Sequence, residues 1–218
     1  VAATGELQNE NEKEWLKSRS SFSWKERRYR KKIRSGSYKT IRERFPPSDS
    51  TTKTLRYKQS NTRDFAWIAD KRFAVNHDTC VLASGKVINI YALHATAAQK
   101  QWDNSIAYAK NALRYYSAVA GTYPFASLSI VEVPQGIPTE NEYPAIATLS
   151  TSKKNRLKEN RIARSVGHNW LHGIFSVNAR TYPWMDKGMA AFFVKRYQGE
   201  KTKEASTPHN LPIFEKIA

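Results

Sequence analysis

The sequence predicts an α+β fold, and three observations carry that expectation. Residues 81–93 and 127–134 space their apolar side chains with a period near two, and residues 145–150 form a further short apolar run, as strands do. Residues 99–121, 161–175 and those from Trp184 onward space them at helical intervals. The order of these elements sets a sheet edge against a pair of helices, not a strict strand–helix alternation.

Taken in order, residues 1–53 form a basic, partly irregular N-terminal segment in which Trp15, Phe22, Trp24 and Tyr29 are isolated anchors. The run KERRYRKKIR (25–34) is its densest basic stretch. It reads either as a solvated helix or strand edge, or as a polyanion contact. FPPSDSTT (45–52) is a proline- and serine-rich break with the composition of a linker. Residues 54–80 have the aromatic density of buried structure. VLASGKVINIYAL (81–93) reads as two strands around a Ser-Gly turn. In the helix expected at 99–121, Trp102, Ile106, Ala109, Leu113 and Tyr116 share one face and Gly121 can cap the end. Strands follow at 127–134 and 145–150, then a basic polar stretch that runs into the helix at 161–175. The last helix carries Met185, Met189, Phe192 and Phe193, and the chain from Gly199 reads as a loose polar tail.

Composition bounds the function. The chain has 218 residues, 40% of them hydrophobic, which is enough for a packed core. Its 36 Lys and Arg against 19 Asp and Glu give a formal charge of +17, which predicts attraction to polyanions or anionic surfaces. No zinc-finger spacing, RNP signature or glycine-rich phosphate loop is present. The single cysteine, Cys80, excludes an internal disulfide and a cysteine-based metal site. No apolar run reaches the ~20 residues of a membrane span. The first residues lack the basic-then-apolar layout of a signal, and the missing initial Met leads us to expect a processed or excised chain.

The segment RIARSVGHNWLHGIF (161–175) carries the chemistry. His168 and His172 lie four apart, one helical turn, the spacing of two zinc ligands. The segments TLRYKQSNTRDFAWIADKRFAVNHDT, QWDNSIAYAKNALRYYSAVAGTYPF, NEYPAIATLS, VGHNW and YPWMDKGMAAFF follow in that order. Together they resemble the aminopeptidase N-like family of zinc metallopeptidases, the gluzincins, and especially its bacterial envelope branch. The resemblance covers roughly residues 54–197. It implies that 54–80 end a β-rich N-terminal domain or form a linker. Residues 81–200 would then be the first part of a thermolysin-like catalytic domain, a mixed sheet packed on active-site helices, with 201–218 as a tail. It also implies an envelope or secreted location.

That family's motif is His-Glu-x-x-His with a third ligand, Glu, eighteen residues beyond. If His168 and His172 were the pair, the third ligand would fall on Ala191, which has no donor. If His168 is the second histidine, the third position is Lys187 in the segment WMDKG, and GHNW also fits. In that register Arg164 stands at the first ligand and Ser165 at the water-activating base, leaving only His168 of the metal set. Arg and protonated Lys offer no lone pair. Two cations ~4 Å apart repel by about 4 kcal/mol at an effective dielectric near 20. Ser165 lacks the pKa of a general base. His172 becomes a doubtful ligand one turn past the motif.

The resemblance thus implies a catalytically impaired relative with no zinc expected, acting as a binding or structural module in a larger assembly or with a protein partner. Glu142 matches the family's substrate-amine carboxylate and stands as a substrate-binding candidate for a peptide. It reads either as an ordinary loop carboxylate or as an ion-pair partner of Arg164 or Lys187. Two alternatives stand beside this reading: an active zinc metallopeptidase using His168 and His172, and a basic polyanion-binding module. His77, His94 and His209 read as surface or satisfied core residues, Asp103 and Asp186 as helix starts, and Trp102, Trp170, Trp184, Tyr115 and Tyr116 as core.

Overall fold

The structure is a computed structural model. It describes residues 1–43, 45–62, 64–134, 142–151, 158–175, 181–182 and 184–203, without the side chains of Glu142, Phe175, Asp186, Thr202 and Lys203. β1 (Ala2–Ala3), β2 (Glu6–Leu7) and α1 (Glu10–Ser18) precede a hairpin of β3 (Arg27–Lys32) and β4 (Tyr38–Glu43). β5 (Tyr57–Lys58) and β6 (Trp67–Ile68) return to pair antiparallel with β2 and β1. Then come β7 (Phe73–Val81), β8 (Val87–Ala95), α2 (Gln99–Trp102), α3 (Ser105–Val119) and β9 (Ser127–Glu132). β10 (Glu142–Tyr143), β11 (Ile146–Leu149), α4 (Glu159–Phe175), a π-helical turn (Trp184–Gly188) and α5 (Met189–Lys203) complete the described chain.

The centre is a mixed five-stranded sheet in the order β10–β11–β9–β8–β7. β7–β8 and β10–β11 are antiparallel, while β8–β9 and β9–β11 are parallel. The α+β expectation and the Ser-Gly hairpin are both borne out: Gly85 supplies the positive φ of the turn (79°) and Val81 pairs with Val87. Because β7 belongs to this sheet, the hairpin it makes with β8 spans residue 80.

Period-two alternation gives the sheet two buried faces. Ile88, Ile90, Leu128, Ile130, Ala147 and Leu149 pack with Trp102, Leu113, Tyr116, Ile162, Val166 and Trp170 of the helical layer. Val75, Leu93, Val131 and Ile146 pack with Ala2, Leu7 and Leu16 from the start of the chain. Each fully buried Leu, Ile or Val side chain stabilises by about 1.5–3 kcal/mol. No helix among the described residues is long and apolar enough to cross a membrane.

Several expectations need correction. The helix expected at 99–121 is two helices, broken where the Ser105 hydroxyl donates to the Trp102 carbonyl (2.6 Å). Asp103 therefore ends α2 and starts no helix. Trp102, Trp170 and Tyr116 are core residues, but Trp184 is 67% exposed because nothing described covers the π turn. The helix expected to weaken at Gly199 continues to Lys203. His94 is a satisfied core residue. It is fully buried, its Nδ1 lies 3.1 Å from the Ala95 carbonyl, and its ring stacks on Trp102. Burial holds its pKa below the ordinary value. His209 lies outside the described residues.

Candidate functional site

Helix α4 carries the site. The carboxylate of Glu159 in its first turn suits the positive end of the helix dipole and gathers three partners. The Tyr197 hydroxyl (2.5 Å), the Lys201 ammonium (2.7 Å) and the Asn111 amide (3.1 Å) all reach its Oε1, tying α3 and α5 to α4. Burial opposes its ionisation, but these hydrogen bonds win and hold the carboxyl below the usual range. Along the helix, small residues allow close approach. A Cβ on Gly167 would lie 3.0 Å from the Tyr116 ring, and one on Gly173 would lie 2.8 Å from Phe125 and Pro124. The Tyr116 hydroxyl donates to the Ala163 carbonyl (3.0 Å).

The candidate residues occupy successive turns. Arg164 is exposed. Ser165 is buried, and its hydroxyl donates to the Thr148 carbonyl of β11 (3.3 Å). His168 is buried one turn further, and His172, half-buried, lies one turn beyond that. Lys187 sits exposed in the π turn that packs against α4. Glu142 enters the sheet through its backbone, opposite Ala147 at the β10 edge, and β10 packs against α4. Its side chain lies outside the described residues, so its pairing with Arg164 or Lys187 does too.

The residue that organises this region is Asn169, which follows His168 and would take the place of the base if His168 and His172 were the zinc pair. Asn169 is 2% exposed, and its side-chain amide is fully engaged. Its Nδ2 donates to the carbonyls of Tyr143 and of Ile146 (3.1 Å), and its Oδ1 accepts from the buried Tyr123 hydroxyl (2.7 Å). The two carbonyls flank the Pro144–Ala145 turn, where Ala145 holds a φ of +62°, a conformation costly for a residue with a Cβ. The signal of Asn169 in the sequence was a polar side chain one turn from Ser165 and His172 on α4. Beside this clamp a groove of about 590 Å³ opens between residues 65–70 and the ends of β9 and β11. Phe65, Trp67, Glu132, Tyr143 and Thr148 line it.

A three-ligand zinc site needs three side chains that each give the metal a lone pair. His168 and His172 supply two rings on one helix, and Arg164 and Lys187 supply cations. Among the described residues no three His, Cys, Asp or Glu side chains converge.

No family model and no curated protein sequence matches the chain. Solved structures do. A mutant M1 zinc metallopeptidase from Deinococcus radiodurans aligns over 96% of this chain and 43% of its own, at 12% identity and a TM-score of 0.52. A two-domain M1 zinc metallopeptidase mutant bound to L-arginine aligns over 95% and 38%, at 12% identity and a TM-score of 0.50. The likeness is one of fold, that of a metallopeptidase-like α+β domain, and this chain spans less than half the length of those proteins.

Proposed function

We propose that this chain is a catalytically impaired relative of zinc aminopeptidases: a metallopeptidase scaffold that keeps the thermolysin-like half-domain of residues 81–200 and works as a binding or structural module. The observation that carries this reading is Ser165. At the position where the resembled motif places its water-activating carboxylate, this chain has a buried hydroxyl committed to the Thr148 carbonyl. That hydroxyl fastens helix to sheet, and it cannot act as a base near neutral pH. Arg164 and Lys187 stand at two of the three ligand positions, and neither donates a lone pair to a metal.

In this reading the binding function passes to the sheet edge. Among the described strands β10 is at the sheet edge, where an extended peptide could pair, and the groove beside Tyr143 and Thr148 adds apolar contact. Glu142 supplies a carboxylate for a peptide amine. The exposed Tyr182, Trp184 and Phe192 give a protein partner or a larger assembly an apolar surface around the start of α5.

Metal analysis tests the reading. Purified protein, dialysed after exposure to zinc, is expected to retain far less than one equivalent and to leave aminoacyl reporter substrates uncleaved. The triple variant Arg164→His, Ser165→Glu, Lys187→Glu is expected to gain near-stoichiometric zinc. Stoichiometric zinc in the parent, lost on His172→Ala, would instead establish a site built on His168 and His172.

A further inference from the structure

The basic run singled out in the sequence forms the β3–β4 ribbon. It pairs in register from Arg27 opposite Glu43 to Lys32 opposite Tyr38, and its residues are exposed almost throughout. Its base is anchored where the Trp24 amide donates to the Thr96 hydroxyl (3.1 Å), and Arg72 stacks over Phe45 (4.5 Å). Residues 25–43 hold nine Lys and Arg against two carboxylates, Glu26 and Glu43. The basic charge is therefore concentrated here, in spite of the many cations elsewhere in the sequence.

Alternation sorts the ribbon into two faces. One carries Arg28, Arg30 and Lys32 from β3 with Arg42, Thr40 and Tyr38 opposite them. Arg28 faces Arg42 directly, a like-charge pair that destabilises a bare ribbon. A single carboxylate relieves it: Glu26 lies 2.8 Å from the Arg42 guanidinium and 3.4 Å from that of Arg28. That carboxylate marks where an anionic oxygen sits between two guanidinium forks. Arg30 stacks over Tyr38 at 5.1 Å, which holds its fork in place. Cations two residues apart on this face repeat every ~7 Å.

We propose that this face of the ribbon, through Arg28, Arg30, Lys32 and Arg42, binds the phosphate backbone of a nucleic acid. Guanidinium forks suit phosphate, and their regular repeat suits a regularly charged polymer. The hydroxyls of Tyr38 and Thr40 add neutral donors of the kind that contact phosphate oxygens. A two-stranded ribbon also fits the width of a duplex major groove. The tip speaks against a lipid surface: beyond Ile33 it is Arg34, Ser35, Gly36 and Ser37, with the two serine hydroxyls bonded to each other at 2.7 Å, and it has no apolar cluster to insert. The ribbon shares no residue with α4 or the π turn, so the fate of the zinc site leaves it untouched.

Fluorescence anisotropy with a labelled duplex DNA of about two helical turns, between 50 and 200 mM NaCl, tests the assignment. Four phosphate contacts predict a slope of log affinity against log salt near about −3.5. The variant Arg28→Gln, Arg30→Gln, Arg42→Gln is expected to lose at least about tenfold in affinity and to flatten that slope by about 2 to 3. Lys17→Gln, Lys100→Gln, Lys195→Gln removes the same charge elsewhere and is expected to change affinity by less than about threefold. Glu26→Gln, which keeps an oxygen acceptor between Arg28 and Arg42 but removes its charge, is expected to tighten binding. Equal weakening by the two triple variants, no tightening by Glu26→Gln, or binding to phosphatidylserine vesicles but not to DNA would each overturn the proposal.

Discussion

Replacing Asn169 by Leu tests what the α4 region is built for. The two side chains are close in size, so the change removes hydrogen bonds and leaves little cavity. Three are lost: to the carbonyls of Tyr143 and Ile146 and from the Tyr123 hydroxyl. Two of them lie in an interior where Asn169 is 2% exposed and Tyr123 and Ile146 are fully buried, and the third reaches half-buried Tyr143. At about 1–1.5 kcal/mol for each bond, with the stranded groups at the upper end, the loss is about 3–4 kcal/mol. The turn carrying Ala145 at positive φ loses its brace in the same step. Urea unfolding followed by far-ultraviolet circular dichroism reads this directly, as a lower midpoint at an unchanged slope. Asn169→Asp adds a sign test. A carboxylate facing two carbonyl oxygens is favoured in its protonated form, so its folded pKa rises above the unfolded value of about 3.9. Its penalty then grows as pH rises through that range and shrinks in acid. A Leu variant within about 1 kcal/mol of the parent, or an Asp variant whose deficit does not depend on pH, would refute the clamp.

Three further outcomes follow from the same packing. Gly173→Ala drives a methyl to 2.8 Å from Phe125 and Pro124 and should cost about 1–3 kcal/mol, whereas Gly199→Ala in α5 meets open space and should gain about 0.5–1 kcal/mol; thermal melts of the pair with opposite signs are the check. Glu159 has a depressed folded pKa, so its contribution is complete above the ordinary value of 4.5 and is lost as pH falls through the lower folded value. Glu159→Gln should remove that part of the acid dependence, and an unchanged acid limb in pH-dependent denaturation would count against the three-way tie. Cys80 is fully buried, and burial pushes its thiol pKa up, so a thiol reagent should label it only after denaturant is added; rapid native labelling would contradict this.

Much of the fold was legible because it rests on periodicity. The β7–β8 hairpin announces itself by Ser84-Gly85 between apolar runs, and α4 by apolar spacing that the structure extends back to Glu159. What escaped is of two kinds. Some signals were local and overlooked. Asp103-Asn104-Ser105 breaks the helix through a hydroxyl bond, and Arg34-Ser35-Gly36-Ser37 is the turn of the β3–β4 ribbon, with Gly36 at a φ of 82°. Others are nonlocal. β1, β2, β5 and β6 are two residues each and pair with partners fifty or more residues away. The bonds of Asn169 likewise reach residues 123, 143 and 146, and no pattern within one helix reveals them. In the candidate site, sequence spacing placed Arg164 and Ser165 on one turn of a helix and His168 on the next. It could not show that the Ser165 hydroxyl is already spent on the sheet.

The two faces of the central sheet are covered by chain made at different times. On the helical side, α3 is synthesised between the strands it covers and α4 directly after them. On the other side, Ala2, Leu7 and Leu16 must meet Val131 and Ile146, which leave the ribosome well over a hundred residues later. At about 5–20 residues per second that delay is about 6–30 s, and until then only Phe73, Val75 and Leu93 of β7 and β8 offer the first apolar anchors a surface. The ribbon, with nine Lys and Arg in residues 25–43, is complete before any strand of the central sheet has been made.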